Sequence, residues 1–391
     1  MNEHHADAAA PADTRGTEKG LSRRELIRHG ALAAGLGGAA LLAACTRKEE
    51  GGEQKAQQGP AVVTDRTAIK WKMQTAWQPG TVGAEAFQRF VQMVGSMSEG
   101  RFQIEPFLEG AIVGTFEMFD AVKNGVFPAM HVFPLYWAGK LPVAVFMSSF
   151  PLGPDQETQW EWFFGPGGAT EVVREAYGAQ GLFWVGPIQH GPNLIHAKMP
   201  LRTFEDFKGK KIRYPGGIVA DVFAAAGVST VLLPGGEIYP ALEKGVIDAA
   251  DYVGAAINWN LGFAEVTKYI ILPSLHQPVD LMDVTVNMKA WEALPKELQE
   301  IMVAAVKWHS WDQWSHVHQA DLEAYKKFRD KGTEIITLPP AEVDKFRKVA
   351  VPLWYKWAKK DEHATKAFKI WLNYLLETGF IKREWLAGES I

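Results

Sequence analysis

The sequence predicts an α/β chain arranged in two lobes, on three observations. Beyond residue 67, short stretches of apolar alternation take turns with stretches of helical periodicity, the order that builds sheets covered by helices. The alternation runs through two successive series, and 391 residues exceed what one compact core usually holds. Composition is that of a globular protein, 47% apolar and 22% charged, so a chain disordered throughout is excluded.

Ile69, Trp71, Met73 and Thr75 alternate as one face of a strand; Phe87, Phe90, Val91, Val94 and Met97 then recur at helical spacing up to Gly100. Residues 101–107 read as strand, 116–123 as helix closed by Gly125, and 182–185 as a short buried strand. The second series runs strand 211–214, helix 219–226, strand 230–233, helix 237–244 and strand 246–250. Residues 281–288 (LMDVTVNM) read as a further strand, a candidate to return to the first unit. From 290 to 331 there is no glycine and only Pro295, which predicts a long helix able to brace two lobes. Trp308, Trp311 and Trp314 on it read as packing against the lobes. Two more helices, over 341–359 and 363–379, complete the chain. The expected division is 68–188 with about 281–300 as lobe I, 189–280 as lobe II, and 332–391 as C-terminal helices.

The N-terminus reads as an address. Residues 1–21 are polar and Ala-rich, and Arg23-Arg24 precede a weakly apolar stretch, 30–44, with four glycines. The paired arginines resemble a bacterial twin-arginine signal, and Leu42-Ala43-Ala44-Cys45 resembles a lipoprotein box that would lipidate Cys45. Residues 46–67 then form a flexible tether, of which 46–60 alone reach about 50 Å when extended. The expected location is outside the cytoplasmic membrane, lipid-anchored.

A single cysteine excludes a disulfide framework, and a net charge of −4 gives no reason to expect nucleic acid as partner. The nucleophile elbow, phosphate loop, H-E-x-x-H and dinucleotide fingerprint are all missing, so the chain is not expected to be an enzyme. His309, His316 and His318 point to different helix faces and are not expected to share an ion. His131, His190, His196 and His276 are scattered along the sequence, and each alone reads as structural. The most suggestive segment is 211–217, KIRYPGG. Pro215 keeps Tyr214 extended, the glycines turn the chain, and a helix starts near 218, leaving Arg213 at a strand end beside a helix N-terminus. A guanidinium there offers two parallel charge-assisted bonds to a carboxylate; a surface ion pair is the competing reading.

Several blocks resemble the extracytoplasmic solute receptors of TRAP (tripartite ATP-independent periplasmic) transporters, especially the 2-oxoacid branch. They are WKMQTAWQP (71–79), RFQIEPFLEGAIVGTFEMFDAVKNG (101–125), MHVFPLYWAGKLPVAVF (130–146), Gln189-His190-Gly191, KIRYPGG and LPGGEIYPALEKGVIDAADYVG (233–254). The resemblance implies a bilobed fold like that of periplasmic binding proteins, with crossing hinge strands and a long domain-spanning helix. It further implies capture of a small 2-oxo or 2-hydroxy monocarboxylate by hinge closure and delivery to a membrane permease. It matches Arg213 to the residue that grips the ligand carboxylate. Gln189, Asp251, Tyr252 through its carbonyl, and Gln277 match positions that hold a bridging cation such as Na⁺ or Ca²⁺, and Gln189, Tyr252 and Gln277 also face the ligand. Trp77, Tyr136 and Trp137 resemble pocket-wall aromatics. The chain departs from the branch at Tyr252, where a tryptophan is usual, and at Gln277, where a glutamate is usual. An exported binding module for a sensor or another transporter class, or an exported enzyme, are the alternatives.

Overall fold

Why the first lobe folds is visible in its first βα unit. Ile69–Thr75 (β1) buries Trp71 and Met73, alternating with exposed lysines, and ends in a run buried on both faces. Thr81 then caps the helix Val82–Met97, its Oγ1 accepting from the Ala84 N–H at 3.2 Å. That helix covers the sheet with Phe87, Phe90 and Val94, all fully buried. The computed structural model describes residues 68–386 and 388–391; the twin-arginine run, Cys45 and the tether lie outside the described residues.

Two mixed sheets follow. Phe102–Phe107 (β2), Ala129–Val132 (β3) and Leu182–Gly191 (β4) lie with β1 in the first, ordered β2-β1-β3-β10-β4, where β10 is Asp280–Asn287. Residues 281–287 therefore do return to the first unit, antiparallel between β3 and β4. The second sheet contains Leu194–Ala197 (β5), Lys211–Arg213 (β6), Ser229–Val231 (β7), Ala249–Tyr252 (β8), Tyr269–Leu272 (β9) and Glu334–Thr337 (β11), ordered β11-β9-β5-β8-β6-β7.

The chain crosses between sheets at 192–193, after β4, and again at 273–279, after β9. The two crossings are tied together: the Asn193 N–H donates to the Gln277 carbonyl at 3.1 Å, and Ser274 Oγ donates to the Asn193 and Gln277 carbonyls. β4 is ten residues long, well beyond the four expected, because its run of Gly, Pro and Gln hides the continuation of a buried strand.

The long helix is Lys296–Asp330, about 52 Å at 1.5 Å per residue. It starts after Pro295, and a separate short helix, Met288–Ala293, precedes it. It touches both lobes. His309 stacks on Phe90 at 4.8 Å, Gln313 accepts from Trp77 Nε1 at 3.0 Å, and Asp321 accepts from the Ala256 N–H at 2.6 Å. One expectation needs correcting here. Trp311 does not pack on a lobe but is 65% exposed, lying 5.2 Å from Trp314. In the first lobe's core His131 and His309 lie 5.1 Å apart, because β3 and the long helix meet there. Burial pushes His131 down to about 3 and His190 down to about 4, so both are neutral.

The tail holds strand β11 besides its helices, missed because EIIT is too short to show alternation. Helices Pro340–Ala358 and Glu362–Glu377 fasten to both lobes through buried indoles: Trp357 donates to Asp221, Trp354 to the Pro151 carbonyl and Trp371 to the Phe146 carbonyl. Among the described residues no helix is long and apolar enough to cross a membrane.

Candidate functional site between the lobes

Both crossings and both lobes meet at Arg213. Ending β6, it is 1% exposed, and the turn after it needs Gly216 at φ +90° and Gly217 at φ +57°, where other residues would be strained. A Cβ on Gly217 would also press on Leu135 and Ala138 at 3.1 Å, side chains of the opposite lobe. The guanidinium donates from Nε to the Leu233 carbonyl (3.0 Å), from Nη1 to the Asp251 carbonyl (3.0 Å) and carboxylate (3.3 Å), and from Nη2 across the cleft to Tyr136 Oη (3.4 Å). Of five N–H donors, one is left over and the Tyr136 bond is long, so the group can take up an incoming anion. Asp251 in turn accepts from His276 Nε2 at 2.8 Å.

Phe133, Leu135 and Tyr136 of the first lobe, Arg213, Pro215, Tyr252 and Val253 of the second, Asn193 and Gln277 from the crossings, and Asp280 at the head of β10 line the space in front of Arg213. Its volume is about 10 Å³, the room of roughly one water. Admitting even a three-carbon acid therefore requires the walls to part. Burial pushes the Tyr136 hydroxyl up to about 12 against the opposing pull of Arg213, so it stays a neutral phenol. Burial, reinforced by Asp251, pushes Asp280 up to about 7.

Of the residues picked out in the sequence, Arg213, Tyr136, Tyr252 and Gln277 line this space and Asp251 backs Arg213. Three are not brought to it. The Gln189 amide donates to Glu161 Oε1 at 2.6 Å on the outer side, where a depression of about 460 Å³ also takes in Trp311 and Trp314. Trp77 is core, between Phe133 and His190 and bonded to Gln313. Trp137 is core as well, donating to Tyr177 Oη. Sequence reasoning missed Asn193 and Asp280. The signal available for Asp280 was a carboxylate at the head of a buried strand; for Asn193 it was its place two residues after Gly191.

Tyr252 closes one edge of the cleft. Its hydroxyl accepts from Gln78 Nε2 of the opposite lobe at 2.8 Å, and the same amide bonds Glu109 at 2.9 Å. Gly235 packs against this junction so tightly that any Cβ there would overlap the Tyr252 hydroxyl. Removing the hydroxyl with Tyr252→Phe is expected to cost the closed arrangement about 1 kcal/mol, read by calorimetry as roughly fivefold weaker ligand binding. Unchanged affinity would show that the bond does not hold the lobes together.

The model of the DctP family, bacterial extracellular solute-binding protein family 7, matches residues 73–361. A monocarboxylate 2-oxoacid-binding periplasmic protein of Nostoc sp. is 30% identical over 307 residues, 78% of this chain and 83% of the relative. A TRAP periplasmic solute-binding protein from Colwellia psychrerythraea, solved with bound calcium and pyruvate, is similar with a TM-score of 0.73 at 27% identity, over 83% of this chain and all of the other. One from Rhodobacter sphaeroides in an apo open structure gives 0.62 at 32% identity, over 80% and 99%. The chain belongs to the DctP family of bacterial extracellular solute-binding proteins, as a receptor of the TRAP type.

Proposed function

We propose that this protein captures a small 2-oxo or 2-hydroxy monocarboxylate in the cleft at Arg213, together with a cation, and presents the closed form to a membrane permease. The observation that carries this reading is a fully buried guanidinium with an N–H to spare, facing a space walled by both lobes and both crossings. A ligand carboxylate accepts from the spare donor and takes over the long bond to Tyr136. Closure around it excludes water, which strengthens those bonds. The donor set also suits a hard cation: Gln277 Oε1, the Asp280 carboxylate and the buried Asn193 Oδ1, which has no partner among the described residues. A cation there would bridge protein oxygens to the ligand's second oxygen and offset its charge. No bond is made or broken in this cycle.

The structure is the closed form in this reading. It is nearer in shape to the pyruvate-loaded Colwellia protein than to the open Rhodobacter protein, although the latter is closer in sequence. Export by the twin-arginine route and anchoring through a lipidated Cys45 would hold it at the membrane, with the tether giving it reach.

A thermal-shift series with pyruvate, lactate and succinate, each with calcium or chelator, tests the reading. A native-state ligand at a hundred times its dissociation constant adds about 2.7 kcal/mol, so pyruvate or lactate with calcium should raise Tm by several degrees and succinate should not. No shift with any carboxylate would reject the proposal.

A further inference from the structure

We propose that Asp280 is the anionic ligand of the cation that binds with the carboxylate, a charge this chain carries at 280 instead of at 277. The inference rests on the receptor reading above and assigns a role within that site.

Asp280 is buried, 2% exposed, and all of its partners are neutral: Ser148 Oγ at 3.1 Å, Asn193 Nδ2 at 3.0 Å and its neighbour Leu281 N–H at 2.9 Å. No basic side chain lies within salt-bridge distance of it among the described residues. Arg213 does not serve, since it is engaged by Asp251. A carboxylate kept ionised in such a place is costly unless a cation meets it.

Two amide oxygens sit beside it. Asn193 Nδ2 donates to both Gln277 Oε1 (3.1 Å) and Asp280 Oδ2 (3.0 Å), so those two oxygens flank one amide group, whose half-turn would bring Oδ1 between them. Asn193 Oδ1 is a buried acceptor with no partner among the described residues, on a residue that itself lines the cleft. Among the described residues no three His, Cys, Asp or Glu side chains gather to hold a metal, so a cation here depends on one carboxylate helped by amide and carbonyl oxygens.

The charge balance points the same way. Once a monocarboxylate is enclosed, three carboxylates (Asp251, Asp280 and the ligand) face one guanidinium and the His276 imidazole. Negative charge is left over in a closed, dry space, and a Na⁺ or Ca²⁺ ion against Asp280 removes it. Gln277 brings an oxygen but no charge. The carboxylate three residues on, at the head of β10, restores what the glutamine at 277 lacks.

Calorimetry with calcium chloride alone, and with pyruvate in calcium or in chelator, tests this on the wild type, Asp280→Asn and Asp280→Asn with Gln277→Glu. The wild type should bind calcium alone and bind pyruvate at least about tenfold tighter with calcium than with chelator. Asp280→Asn, folded by circular dichroism, should lose both responses, and adding Gln277→Glu should return them. Should Asp280→Asn not fold, the smaller neutral Asp280→Thr takes its place. The proposal is overturned if the neutral variant keeps the calcium response, or if the wild type binds pyruvate equally in calcium, sodium and chelator; the receptor reading survives either result. Failure of the wild type to bind any carboxylate in any salt would instead overturn both.

Discussion

Arg213→Ala is expected to weaken carboxylate binding by at least about 3 kcal/mol, more than a hundredfold in affinity. Two charge-assisted bonds disappear, and the alanine leaves an apolar gap facing a charged ligand. The fold should survive at a lower Tm: the buried Asp251 carboxylate loses its guanidinium partner but keeps its bond from His276 Nε2. Arg213→Lys keeps the charge yet should still lose at least about tenfold, since an ammonium cannot satisfy Leu233, Asp251 and a ligand carboxylate from one fork. Calorimetry on purified variants reads both. Near-normal affinity in Arg213→Ala would remove this residue from the site.

Asp251→Ala is expected to act on stability first. Arg213 and Asp251 form a buried pair with side chains 2% and 0% exposed, and removing one partner from such a pair costs about 3–5 kcal/mol. The loss should be smaller when ligand is present, because an incoming carboxylate supplies the missing negative charge. Melting curves should therefore show a lower Tm without ligand and a larger rise on adding pyruvate than in the wild type. Equal rises in both proteins would mean that the ligand does not pair with this guanidinium.

Much of the architecture could be read from the chain because it is local. Alternation at Ile69–Thr75 and helical spacing at Phe87, Phe90 and Val94 each describe one element, and the structure keeps them. The return of residues 281–287 to the first sheet is borne out, as a strand buried on both faces even though Asp283 and Thr285 share one of them. What escaped is long-range. The site depends on two crossings 80 residues apart lying side by side, and nothing in Pro192-Asn193 or His276-Gln277-Pro278 marks them as partners. Gln189 was placed at the ligand by resemblance, but strand alternation on β4 turns its side chain outward to Glu161. Trp77 and Trp137 resemble pocket walls in sequence yet are core, because buried aromatics of core and cleft look alike there. Arg213 was legible only in part: a basic residue at a strand end ahead of Tyr-Pro-Gly-Gly suits a carboxylate, but spacing left a surface ion pair open, and the resemblance singled it out.

A crystal structure of the protein grown with pyruvate and calcium bears most directly on how the cleft works. The expected density shows the ligand carboxylate bonded to Arg213 between the two lobes, with Tyr136 and Tyr252 closed over it. A ligand bound elsewhere, with the guanidinium still donating to Tyr136 and the space before it unchanged, would contradict that mechanism.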